Sequence, residues 1–186
     1  MITYFVDNFW LGPLLWSILY ISDYSFTIAC AKMYRQQSII VFEGSFELNP
    51  IFQKDIDSLK IVSSRFLLIL VIGIGILLFI WFLNSTISDW NLYLFALGSF
   101  IFGELVIHKR HLQNWFLYRY AIGSNGIQGH IEYSRKIILR RSALEMFLFT
   151  ILLFIVFALT FQWFFLGGTC GCLSNAINQY RLALKK

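Results

Sequence analysis

Three polar side chains at helical spacing are the clearest candidates for chemistry in this sequence. Glu104, His108 and His111 are separated by four and then three residues, so a helix would carry them on one face. A carboxylate and imidazoles at one-turn spacing can ligate a divalent metal or act as an acid/base pair. The competing interpretation is a charged collar at a membrane surface, because Lys109 and Arg110 lie between the histidines. His130, the remaining histidine, is a further potential member.

Asp23 is the second candidate, since it lies near the middle of an apolar segment with Ser22 and Thr27 close by. A charged side chain at the centre of a bilayer costs about 3 kcal/mol on insertion scales, so Asp23 must face the interior of a bundle. There it would be protonated, paired with a cation or hydrated. We predict an intramembrane polar site formed by Asp23, Thr27 and Ser22. The alternative role is structural, with a protonated Asp23 joining helices by hydrogen bonds.

The composition places these residues in an integral membrane protein. The chain is 58% hydrophobic, 19% aromatic and only 13% charged, with a mean hydropathy of +0.68. A soluble domain carries about 25% charged residues. We predict an all-α membrane protein, a single polytopic domain over residues 1–186 with a bundle of about four transmembrane helices. The predicted spans are 13–34, 66–83, 90–108 and 146–168.

The two internal segments, 35–65 and 109–145, contain further local signals. Asn49-Pro50 marks a helix start, and apolar spacing after it predicts an interfacial amphipathic helix leading directly into the second span. Two short stretches, SIIVFEGSFEL and GIQGHIEY, are candidates for a small cytoplasmic β pairing, the second following the turn signal Gly123-Ser124-Asn125-Gly126. We predict that Glu47 is solvated and that Asn49 beside it caps the helix. The alternative is that Glu43 or Glu47 contacts Arg135 or Arg140.

Basic residues indicate the orientation. Lys and Arg cluster in both internal segments, which the positive-inside rule places in the cytoplasm, with both termini outside. The basic tail, with Arg181, Lys185 and Lys186, argues against this orientation. The basic residues expected to face anionic lipid headgroups or a partner are Lys109, Arg110, Arg135, Lys136, Arg140 and Arg141. We expect a prokaryotic cytoplasmic membrane and no nucleic-acid partner.

Glycines have two predicted roles. Gly73 with Gly75, and Gly98 with Gly103, permit close approach of helices, although neither pair has the four-residue spacing of the common dimerisation motif. Gly167, Gly168 and Gly171 are predicted to end the last span before a short polar tail.

Two motifs and one longer stretch resemble a group of known sequences. Asp23-x-x-x-Thr27 in the first span, Glu47-Leu48-Asn49-Pro50 after it, and the later stretch GIQGHIEYSRKIILRRSALE are similar to small uncharacterised polytopic membrane proteins of prokaryotes. Together they cover about a third of the chain. The resemblance implies a compact membrane bundle and transfers no activity.

The function favoured by these features is non-enzymatic. The sequence contains no P-loop, nucleophile elbow, CxxC or HExxH motif. We expect a small helical bundle acting in transport or channel formation, or as the membrane subunit of a complex, in a homo-oligomer or hetero-complex. The alternative is an intramembrane enzyme acting on a lipid-like substrate. It would use Asp23, Glu104 and His108 around a divalent metal, and it requires the first span to pack beside the third.

Overall fold

The computed structural model describes residues 3–123 and 129–185, and within them the chain is mainly α-helical. In chain order the elements are α1 Thr3–Asp7, α2 Leu11–Gln36, β1 Ile40–Phe42, α3 Gln53–Asp57, α4 Ser64–Ile87, α5 Asn91–Ile122, β2 Ile131–Tyr133, α6 Arg135–Thr160 and α7 Trp163–Leu184. Four of these helices, α2, α4, α5 and α6, are long and apolar enough to cross a membrane. This supports the expected all-α architecture.

Helix α5 extends well past the predicted end of the third span at His108. It continues to Ile122, so Lys109, Arg110 and His111 lie inside a helix and not in a loop. The helix tolerates these residues because the guanidinium of Arg110 donates to the Ser142 hydroxyl of α6 at 3.0 Å. Hydropathy falls at this point of the sequence, whereas the helix continues and contacts α2 through His111 and Thr27, and the segment of β1 through Tyr118 and Phe42.

The predicted fourth span, 146–168, is not a single helix in the structure, so this prediction is wrong. Helix α6 ends at Thr160, where Phe161 adopts a left-handed backbone (φ 53°) and Gln162 is extended, and α7 then begins at Trp163. Apolar residues continue on both sides of this corner, so hydropathy gives no sign of it. The predicted polar tail is therefore a helix of 22 residues that returns along the bundle.

The long helices alternate in direction, with α2, α5 and α7 running one way and α4 and α6 the other. Leu48, from the segment before α3, packs with Leu139 near the start of α6 and Ala183 near the end of α7. We call this end, which also carries β1, β2 and α3, the sheet end. At the opposite end the Trp81 indole of α4 donates to the Val6 carbonyl of α1 at 3.0 Å.

This arrangement corrects the predicted placement of the chain ends. Because α7 crosses the length of the bundle, α1 and the end of α7 lie at opposite ends, whereas the prediction put both termini on one side. The basic residues Arg181 and Lys185 therefore join the other basic residues at the sheet end. The basic tail and the basic internal segments therefore no longer indicate opposite orientations.

Strands β1 and β2 form a two-stranded parallel sheet, in the two stretches predicted to pair. Ile40 is level with Ile131 and Phe42 with Tyr133. The turn signal at 123–126 and the start of the second stretch fall largely on residues 124–128, outside the described residues. Tyr118 of α5 is fully buried against the ring of Phe42, so the sheet is attached to the bundle by aromatic packing.

The predicted amphipathic helix before α4 is much shorter than expected. Helix α3 covers only Gln53–Asp57, and Leu59 then adopts a left-handed backbone (φ 52°) that turns the chain. The hydroxyl of Ser63 donates to the Asp55 carboxylate at 2.6 Å and accepts from the first backbone N–H groups of α4. A capped corner therefore separates α3 from α4, and the two helices do not run together.

Glycines bring α5 and α7 into backbone contact. A Cβ atom on Gly98 would overlap the Phe164 carbonyl oxygen, and one on Gly167 would overlap the Phe95 carbonyl oxygen. The Ser99 hydroxyl donates to the Gly167 carbonyl oxygen at 2.7 Å across the same contact. Gly167-x-x-x-Gly171 has the four-residue spacing of small residues at close helix interfaces, so these glycines serve packing and do not end a span.

Gly98→Ala is expected to destabilise the bundle by about 1–3 kcal/mol, because the added methyl group must push α5 and α7 apart. Gly75→Ala is the matched control, since a Cβ atom there meets open space and alanine favours helix by about 0.5–1 kcal/mol. Thermal unfolding in detergent would measure both variants. Equal stability of the two variants would contradict the close contact.

Candidate functional site

The predicted polar residues of α2 and α5 lie opposite each other because the two helices pack side by side in the same direction. The Ser22 hydroxyl lies 2.6 Å from His108 Nε2, and the Thr27 hydroxyl lies 3.0 Å from His111 Nε2. The first and third predicted spans are therefore neighbours. His108 does not lie at a helix end, as the sequence suggested, because α5 continues beyond it.

The pair Asp23 and His111 forms the centre of this contact. Asp23 Oδ1 lies 2.9 Å from His111 Nε2, and the His111 side chain is 3% exposed. The Thr27 hydroxyl donates to the Asp23 backbone carbonyl at 2.9 Å, so it can only accept a hydrogen bond from His111. This network assigns a proton to Nε2 of His111. The short contact between Asp23 Oδ1 and His111 Nε2 lacks hydrogen-bond geometry, because the Nε2 proton is directed at the Thr27 hydroxyl. Asp23 Oδ1 and His111 Nδ1 therefore have no hydrogen-bond partner among the described residues.

His108 lies in a network that accommodates two protonation states. Its Nδ1 lies 2.9 Å from the Glu104 backbone carbonyl, which can only accept, so Nδ1 carries a proton. The Ser22 hydroxyl lies near both His108 Nε2 and the Leu19 carbonyl oxygen, at 2.6 and 2.9 Å. If Ser22 donates to Nε2, the imidazole is neutral; if it donates to Leu19, Nε2 carries a second proton. Rotation of one hydroxyl thus satisfies the ring in either state.

Asp23, Glu104 and His108 offer three potential metal ligands. One ligand atom from each of them lies within 4.8 Å of the other two. Two ligands on one ion at about 2.0–2.2 Å are at most about 4.4 Å apart, so small side-chain movements would close the set. Two carboxylates and one imidazole suit zinc, manganese or iron. Glu104 Oε2 is buried without a hydrogen-bond partner among the described residues, which fits a ligand role.

This set differs from the predicted metal set of Glu104, His108 and His111, because Asp23 takes the place of His111. The imidazole of His111 is directed at Thr27 and Asp23 instead. His130 does not join the group, since its Nδ1 lies 3.2 Å from the Ser38 carbonyl oxygen beside the sheet.

A cavity of about 260 Å³ adjoins the cluster and reaches the loop before α3 at the sheet end. Its volume is near the lower end of small-molecule pockets, about 300–1,000 Å³. Charged, imidazole and amide side chains from four parts of the chain line it: Asp23, Glu47, Asn49, Glu104, Arg110, His111, Asn175, Asn178 and Gln179. The α7 residues were missed in the sequence, although Asn175, Asn178 and Gln179 have the i, i+3, i+4 spacing of one helix face.

Glu47 was predicted to be solvated, and this prediction is wrong. Its side chain is buried at the cavity wall, where it accepts a hydrogen bond from the Asn49 backbone N–H at 2.7 Å. Burial raises the pKa of Glu47, while the positive charge of Arg110 and the Asn49 N–H partly oppose this shift. Asn49 also accepts from the Ile51 backbone N–H at 3.1 Å, so the Glu-Leu-Asn-Pro motif builds a compact turn against the cavity.

The basic residues predicted to face lipid or a partner divide into two groups. Arg110 turns inward to the cavity, and Lys109 and Arg141 pair with Glu145 at 3.2 and 3.4 Å. Arg135 meets Glu43 through its backbone N–H at 3.2 Å, and its guanidinium donates to the Leu48 carbonyl at 3.3 Å. The side chains that stay exposed and outside these contacts are Lys136 and Arg140.

The fold and the cluster together define a class, a helical bundle with four helices long and apolar enough to cross a membrane and a polar site between its helices. Comparisons with protein-family models, with curated proteins and with solved structures found no match.

Glu47→Gln is expected to stabilise the protein increasingly as the pH rises. A raised pKa means that the folded state holds the proton more tightly than the unfolded chain. The resulting stability is complete below the unfolded value of about 4.3 and is lost as the pH rises through the folded pKa. Thermal unfolding of the variant and the wild type between pH 4 and 8 measures the difference, which should be near zero at pH 4.

The matched control for this change is Glu132→Gln, because Glu132 is an exposed residue of β2. Its difference from the wild type should be independent of pH. A Glu47→Gln variant that behaves like this control would show that the Glu47 carboxyl is not buried.

Proposed function

We propose that this protein is a non-enzymatic membrane bundle that binds a cation at the polar site around Asp23 and acts in its transport or conduction. The observation that carries the proposal is the His108 network, in which one hydroxyl rotation compensates for gain or loss of a proton. A group that changes charge inside a membrane without losing its hydrogen bonds is suited to carrying protons. The nearby carboxylates of Asp23 and Glu104 would also allow the site to bind a metal cation.

The charges of the cavity support a cation as the transported species. Three carboxylates, those of Asp23, Glu47 and Glu104, line the cavity, against the single guanidinium of Arg110. Carboxylates removed from bulk water are neutralised by a proton or a paired cation. A cavity with this excess of acidic groups therefore favours cations over anions.

We place the sheet end in the cytoplasm of a prokaryote, since the described basic residues cluster in the half of the bundle nearest that end. Anionic lipid headgroups are the expected partners of this face. The cavity lies within a single chain of modest size, and helices such as α4 expose many apolar side chains. These features suit a homo-oligomer, or a membrane subunit within a hetero-complex.

A second candidate function is a metal-dependent intramembrane enzyme acting on a lipid-like substrate. The observation that favours it is the proximity of the potential ligand atoms of Asp23, Glu104 and His108. In that role a bound divalent metal would activate water or polarise a substrate carbonyl or phosphoryl oxygen.

Asp23→Asn is expected to lower cation flux at least about tenfold, the effect of losing about 1.4 kcal/mol of interaction with the ion. Asparagine keeps the hydrogen-bonding capacity of Asp23 and removes its charge, so thermal stability should change little. The measurement is flux into proteoliposomes, read by a trapped pH indicator for protons and by a metal-sensitive dye for Mn²⁺. Asp7→Asn, at an exposed residue of α1, is the control. Unchanged flux in the Asp23 variant would support a purely structural role.

The enzyme hypothesis predicts about one bound metal ion per chain, lost in a Glu104→Ala/His108→Ala double variant because two of three ligands are removed. Elemental analysis of protein purified without chelators, with native mass spectrometry for the subunit count, measures this ratio. Metal retained by the double variant would exclude these residues as ligands. A metal-free wild-type oligomer would favour transport.

A further inference from the structure

The surface between α6 and α7 carries an open groove of about 580 Å³, separate from the polar cavity. Arg140, Leu144 and Phe147 line it from one face of α6, at spacings of four and three residues. Leu173, Ile177 and Arg181 line it from one face of α7, each four residues apart. The groove therefore follows the two helices along their contact.

The two charges of the groove lie at one of its ends. Arg140 is near the start of α6 and Arg181 near the end of α7, and these helices are antiparallel, so both arginines reach the sheet end. Neither guanidinium has a carboxylate within 4 Å or a hydrogen bond among the described residues. Two unneutralised guanidinium groups at one site favour an anion, and phosphate matches their planar donors.

The rest of the groove is apolar and faces outward. Leu144, Phe147 and Ile177 are 59%, 47% and 43% exposed, and Ala176 forms part of the buried floor. From Arg140 to Phe147 the helix rises about 10 Å, so the apolar part extends away from the surface and into the level of the hydrocarbon. A ligand that fills the whole groove must have an anionic head and an apolar chain.

We propose that this groove binds one anionic phospholipid, with its phosphate between Arg140 and Arg181 and an acyl chain along Leu144, Phe147 and Ile177. A soluble anion would use only the arginine end and leave the apolar part uncovered. A partner helix would need an acidic residue placed at the same level as the two arginines. One lipid molecule would occupy both the charged and the apolar part of the groove. The site rests on the proposed placement of the sheet end at a membrane surface, and it is independent of the proposed cation function.

The test is native mass spectrometry of protein released from nanodiscs made of phosphatidylglycerol and phosphatidylcholine in equal amounts. The wild type should retain one phosphatidylglycerol, with a preference over phosphatidylcholine of at least about tenfold, as expected for two charge-assisted contacts. The Arg140→Gln/Arg181→Gln variant should lose this preference. The control is Arg119→Gln/Lys54→Gln, which removes two exposed charges outside the groove and should keep it.

A second measurement uses only the wild type, and so does not depend on the folding of any variant. Phosphatidylglycerol added to the protein in detergent should raise the thermal unfolding temperature, whereas phosphatidylcholine and glycerol 3-phosphate should not. Equal retention of both lipids, or an unchanged preference in the Arg140/Arg181 variant, would overturn the proposal. Stabilisation by glycerol 3-phosphate would assign the arginines to a soluble anion, and binding of a protein instead of a lipid would assign the groove to a partner chain.

Discussion

The polar contacts between α2 and α5 run in the same order along both helices, Ser22 with His108 and Thr27 with His111, so these two long helices are parallel and in direct contact. Consecutive helices joined by short connections run antiparallel, so a parallel pair needs a third helix between them in the chain. Helix α4 provides that return, and its Phe66 ring stacks on Tyr20 of α2 with centroids 5.0 Å apart. The rest of the bundle is arranged around this pair.

Helix α7 is a third long helix that runs parallel to α2 and α5. Its glycines allow the backbone of α7 to approach α5 more closely than ordinary side chains permit, and this brings Asn175, Asn178 and Gln179 to the cavity. Three helices then end at the sheet end, and each carries an arginine in its last turn: Arg35, Arg119 and Arg181. The negative ends of the helix dipoles favour these cations. Part of the charge asymmetry therefore follows from helix direction and does not depend on membrane insertion alone.

The sequence predicted those features that depend on local spacing or on hydropathy. Helices α2 and α4, the inward position of Asp23 and the common face of Glu104, His108 and His111 are of this kind. The corner at Phe161 could not be predicted, because a left-handed aromatic residue within an apolar run has no compositional signal. The burial of Glu47 could not be predicted either, since it depends on how the turn before α3 folds against α5. Gly167-x-x-x-Gly171, by contrast, has a spacing that indicates close helix packing, although these glycines were predicted to end a span.

The cluster around Asp23 and the side chain of Glu47 place polar atoms along the cavity from the middle of α2 to the sheet end. The His111 imidazole carries its proton on Nε2, directed at Thr27, and leaves Nδ1 as a buried acceptor, while Glu47 lines the same cavity nearer the loop. Buried acceptors of this kind cost about 1–3 kcal/mol each if they stay without a partner. A cavity of about 260 Å³ has room for several water molecules, which would satisfy these atoms and connect them. Water in this cavity would link the loop before α3 to Asp23, so the aspartate would not be isolated in hydrocarbon if α2 crosses a membrane.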